Sequence, residues 1–102
     1  MSKSSSIANW HKTGVEELGL AFLELKHVRE FKQFIRDLCT LGEIEAMSKR
    51  WQAVKLVEAG WPYRDIAKQL GLSTTTIARV AHWLRHGRGG YKLVLGRIKK
   101  PR

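Results

Sequence analysis

Tyr63-Arg64-Asp65-Ile66-Ala67-Lys68-Gln69-Leu70-Gly71-Leu72-Ser73-Thr74-Thr75-Thr76-Ile77-Ala78-Arg79-Val80 has the spacing of a helix-turn-helix. Each special position has a physical reason. Ala67 is small where two helices would cross. Gly71 can adopt the positive φ that ends the first helix sharply. Ser73 has the side-chain oxygen that an N-cap needs, so the second helix is expected from about Thr74 to His86. Ile66, Leu70, Ile77 and Val80 meet in the angle between the two helices, with Ala81 and Leu84 continuing the inward side.

The charge of the chain is concentrated around this motif. The 102 residues carry 19 Lys and Arg against 9 Asp and Glu, a formal charge of +10. Residues 1–60 hold nine basic and eight acidic side chains, whereas residues 61–102 hold ten basic ones and a single acid, Asp65. The first part reads as a neutral scaffold and the last as a working surface. A one-sided positive field attracts polyanions, of which phosphate-backed nucleic acid is the commonest inside cells.

Upstream of the motif the pattern is helical. Ser2 to about Thr13 reads as a flexible arm. Val15, Leu18, Phe22 and Leu25 recur at spacings that suit one helix face, although Gly19 interrupts them. Val28, Phe31, Phe34, Ile35 and Leu38 form a second stripe opposite Arg29, Glu30, Lys32, Arg36 and Asp37. Thr40-Leu41-Gly42-Glu43 has the form of a capping box opening a third helix, with Ile44, Met47, Trp51, Val54 and Val57 or Glu58 along one side and Gly60 to end it. Pro62 suits the first turn of the next helix. Downstream, Gly87, Gly89 and Gly90 break the chain before a short helix over about Tyr91–Ile98. The expected fold is therefore all-α, with about six helices. Its parts are an arm over 1–13, a helical dimerisation core over 14–60, a reading head over 61–88 and a basic segment over 89–102.

A helix-turn-helix lays its second helix in the major groove. The outward face of that helix, Ser73, Thr74, Thr75, Ala78, Arg79 and His82, would meet base edges. Short hydroxyls donate or accept there, and a threonine methyl can touch a thymine methyl. Arg64, Lys68, Thr76, Arg85, Arg88, Lys92 and Arg97 would meet the backbone, where contacts give affinity and position without sequence information. With no Asn or Gln on the outward face, adenine readout is hard to argue and no target sequence is named.

Several stretches together resemble the Trp repressor superfamily, nearest its Trp repressor-related (YerC/YecD-like) branch. They are Leu38-Cys39-Thr40, Glu43-Ile44, Lys49-Arg50-Trp51, Tyr63 to Ala67, Gly71 to Val80 and Gly89-Gly90-Tyr91, within roughly residues 22–98. The resemblance implies an intertwined homodimer sharing a core of N-terminal helices, with two reading heads about 34 Å apart on a near-palindromic site. Residues 15–57 offer more apolar stripe than a small monomer easily covers, which agrees. The resemblance also implies a tryptophan site in which two arginines clamp the ligand near a threonine, and Thr40, Arg50 and Arg79 stand at matching positions. Val80 and Trp83, however, stand where small residues would make room for the indole. An overfilled site costs about 1–3 kcal/mol to open. Trp83 is thus expected to act as an internal plug, the pocket to be vestigial, and tryptophan not to regulate the protein.

Other signals point to no chemistry. His82 and His86 share a helix face, but no Cys or carboxylate stands near to complete a metal site. Cys39 reads as a buried small apolar residue, Trp51 and Trp83 as core, and Glu16-Glu17 as a solvated face. No Ser/His/Asp order or phosphate-binding loop appears, so neither an enzyme nor a cofactor is expected. One cysteine permits no internal disulfide framework, residues 1–14 lack a signal-peptide apolar run, and nowhere do about 18 apolar residues stand together. A cytoplasmic, DNA-binding transcriptional regulator, acting as a repressor, is the leading expectation. The alternatives are a DNA-binding helper of a transposition or recombination system, and a basic protein that binds nucleic acid non-specifically.

Overall fold

Ser73 lies in extended backbone, and its hydroxyl accepts a hydrogen bond from the Thr76 N–H at 3.0 Å. That bond starts a helix where the sequence places one, and similar local chemistry sets the other boundaries. The computed structural model describes residues 11–99. The expected arm, apart from residues 11–13, and the Lys100–Arg102 tail lie outside the described residues. The helices are α1 (Thr13–Leu23), α2 (Val28–Leu38), α3 (Leu41–Glu58), α4 (Tyr63–Leu70), α5 (Thr74–His86) and α6 (Gly90–Lys99). Among the described residues there is no strand.

The contacts fall into two compact units that divide at Leu41 and Gly42. In the N-terminal unit, α1 runs through Gly19 without a break. It ends at Leu23, so Leu25 lies beyond the helix whose face it was expected to extend. The chain then turns, with Leu25 N–H donating to Phe22 O. Glu30, in the first turn of α2, accepts a hydrogen bond from the Lys26 N–H at 2.8 Å and anchors the chain entering that helix. Phe22 packs edge-on against Phe31 and Phe34, with ring centroids 6.0 and 5.6 Å apart. The apolar stripes are nonetheless poorly covered: among residues 11–41 only Ile35 is buried. Cys39 is half-buried rather than core.

The second unit has a dense core. Ala53, Val54 and Val57 of α3 join Ile66 and Ala67 of α4, Ile77, Val80, Ala81 and Leu84 of α5, and Leu95 of α6. Ile66, Ile77 and Val54 are fully sealed from solvent. The core of the reading head thus recruits the second half of α3, which lies within the segment expected to serve dimerisation. At the far end of α3, Glu58 pairs with Lys99 of α6 (Oε2 to Nζ, 3.1 Å).

Candidate nucleic-acid interface

The helix-turn-helix is built on a left-handed glycine. Gly71 has φ +69° and ψ +35°, and the next residue, Leu72, donates its N–H to Ala67 O at 2.9 Å. This closes the end of α4 and turns the chain within three residues toward α5. Ala67 is buried to 7% exposure, as expected of a small residue at a tight junction. Pro62 stands just before α4 as its N-cap residue, in extended backbone, so the helix starts at Tyr63, one position later than expected.

Helix α5 is partitioned by its period. Ile77, Val80, Ala81 and Leu84 are buried, while Thr74, Thr75, Ala78, Arg79 and His82 are exposed along the opposite side. Ser73 is exposed too, but its hydroxyl is engaged in the cap, and it shares a further hydrogen bond with the Thr76 hydroxyl at 2.9 Å. Thr76 is half-buried, and its N–H is the one that Ser73 captures. Of the remaining backbone candidates, Arg64 and Lys68 stand exposed on α4, Arg85 on the last turn of α5, Arg88 in the connecting turn, and Lys92 and Arg97 on α6. No acidic residue lies on α5 or α6.

Two features of this surface differ from the sequence expectation or lie beyond it. Arg85 donates from Nη1 to the Tyr63 phenol oxygen at 3.1 Å, joining the end of α5 to the start of α4. Trp83 is 57% exposed, contrary to its expected place in the core or as an internal plug. Leu84 takes the inward position, and a residue one step earlier points about 100° away around the helix. Trp83 instead touches His82 edge-on and lines an open, mainly apolar cleft of about 660 Å³ with Trp51, Tyr91 and Val94.

Of the residues set aside for a vestigial ligand pocket, Val80 is buried in the head's core, whereas Arg50, Arg79 and Trp83 are exposed on the second unit. Thr40 belongs to the N-terminal unit, immediately before α3, where the capping-box pattern puts it. His82 and His86 sit side by side with ring centroids 5.1 Å apart. Among the described residues no group of three or more His, Cys, Asp or Glu is placed to hold a metal ion. None of the described helices is long and apolar enough to cross a membrane.

The family model described as Trp repressor protein matches residues 13–99, which include all six described helices. The chain belongs to the Trp repressor family. This Trp repressor-family chain is 34% identical over 86 residues to the uncharacterized protein YerC of Bacillus subtilis, a match covering 84% of the chain and 83% of YerC. Its fold is similar to that of a TrpR-like protein from Eubacterium eligens, with a TM-score of 0.84 at 39% identity over 92% of this chain and 98% of that one. A putative Trp repressor from Staphylococcus aureus aligns with a TM-score of 0.83 at 37% identity over 90% and 92% of the two chains. The all-α Trp repressor-like architecture expected from the sequence is therefore the one observed, and the motif of α4 and α5 is the helix-turn-helix of a family of DNA-binding regulators.

Proposed function

We propose that this protein is a transcriptional regulator that binds double-stranded DNA sequence-selectively as a homodimer, acting as a repressor by occupying its site. The carrying observation is the partition of α5. One side supplies four residues to a sealed core, and the other presents threonines, Arg79 and His82 to solvent on an acid-free helix. Such a helix is rigidly braced, sterically open and chemically suited to base edges. Arg64, Lys68 and the cations after Leu84 flank it as backbone contacts, and these give a steep salt dependence.

The homodimer is supported by the N-terminal unit. Leu20, Leu23 and Val28 are 65%, 80% and 69% exposed there, more apolar surface than a lone chain keeps in water. A second copy meeting it through the same surface is the commonest closed arrangement. Two heads related by a twofold axis then address two half-sites about one helical turn apart. Tryptophan lies outside this scheme. With Trp83 on the surface, the steric argument against the indole rests on Val80, whose β-branched side chain is packed into the core where the family resemblance implies a small residue.

Selection of bound fragments from a random duplex pool tests the reading. The expected outcome is enrichment of a near-palindromic sequence with half-sites about one turn apart. Equal retention of random duplex, single strands and selected sequences would instead favour binding by charge alone.

A further inference from the structure

Arg85 is one of several arginines near the reading helix, and its guanidinium is held by a neighbouring helix through a hydrogen bond to a phenol. Counting about 100° per residue along α5, Arg85 falls within roughly 20° of Ala78, and so on the exposed stripe that contains Ala78 and His82. Its side chain is exposed, yet Nη1 is spent on Tyr63 Oη at 3.1 Å. Tyr63 is itself half-buried, packs against the core of the head and opens α4. A planar guanidinium has five donors in a fixed fork, so fixing one N–H orients the others.

We infer that Tyr63 is a positioning residue for duplex binding, holding the Arg85 guanidinium in place so that a phosphate contact at the end of α5 is made without ordering a loose side chain. The inference rests on the proposed placement of α5 against a duplex. Freezing a long side chain on association weakens binding, and doing so beforehand removes that cost. The phenol contributes here through Arg85 and carries no base information, so its effect is uniform across sequences.

The test compares the full-length protein with Tyr63→Phe, Arg85→Ala and the double variant. Affinities are measured for selected and random duplexes across a salt series, and melting temperatures are recorded alongside. Tyr63→Phe is expected to weaken binding to both duplexes by about two- to tenfold. The slope of log K against log salt stays unchanged in this variant, because the arginine still reaches its phosphate. Arg85→Ala lowers that slope by about one per subunit. In the Arg85→Ala background, adding Tyr63→Phe has no further effect.

Parent-like binding by Tyr63→Phe overturns the inference while leaving the duplex reading intact. An equal loss in the Arg85→Ala background, or one that tracks a lowered melting temperature, overturns it as well by making Tyr63 merely structural. A parent protein that retains no duplex even at low salt overturns both.

Discussion

The Ser73 hydroxyl oxygen lies 3.0 Å from the Thr76 amide nitrogen and closes the first turn of α5. The residue that begins the exposed stripe of the reading helix is therefore also the residue that starts the helix. Replacing it by alanine removes an acceptor from an otherwise orphaned N–H, which costs about 1 kcal/mol. Chemical denaturation of Ser73→Ala should show that loss, and Ser73→Asp should restore most of it. Equal stability of all three forms would mean that the cap contributes nothing to folding.

The turn before that cap depends on Gly71. At φ +69° a Cβ is disfavoured by backbone sterics, although no neighbouring atom lies within 4 Å of where it would stand. Gly71→Ala is therefore expected to lose about 1–2 kcal/mol by conformation alone, without a clash. Gly71→Asn should lose less, since Asn tolerates the left-handed region better. Urea midpoints of the three proteins compare the two costs directly.

Ile66 and Ile77 are fully buried on the two helices of the motif. Either one replaced by alanine leaves a cavity and should cost about 2–5 kcal/mol. Because both occupy one core, the losses are expected not to add, and the double variant measures the coupling.

Specificity and affinity should separate along the surface. Arg79→Ala or Thr75→Ala is expected to erase the preference for the selected sequence over random duplex. Arg97→Ala should weaken both alike and lower the salt slope by about one per subunit. Should Arg79→Ala reduce all affinities equally, α5 would have been assigned to the wrong part of the duplex.

The exposed leucines of α1 should decide assembly. Leu23→Glu is expected to shift a dimer toward monomer in sedimentation equilibrium, because it introduces a charge into apolar surface that a second copy covers. The melting temperature of the parent should rise with protein concentration, as it must when association and folding are linked. A parent that sediments as a monomer at all accessible concentrations excludes the homodimer.

Helix α5 was readable because every clue was local: an N-cap at Ser73, a period of apolar residues ending at Leu84, and a glycine on each side. Its outward stripe followed from the same arithmetic. For Trp83 size argues for burial, whereas direction around the helix decides against it, because Leu84 holds the inward position. Spacing likewise extends α1 too far, because Leu25 fits a helical period in a segment where the chain has already turned. The engagement of the Thr76 N–H by the cap follows from the same local pattern, an N-cap serine three residues ahead of it. The Arg85–Tyr63 bond joins residues 22 positions apart through their tertiary placement, and no spacing in the chain announces it.

Ala53, Val54 and Val57 complete the core beneath the helix-turn-helix, although they precede the motif by several residues. Excised from Trp61 onward, the motif would leave Ile66 and Ile77 uncovered on one flank, and an autonomous fold could not be expected of it. Grafting its recognition chemistry onto another scaffold therefore means transplanting the hind half of α3 as well. Engineered chimeras that splice at Gly60 should come out insoluble, while those that splice near Gly42 should keep their shape.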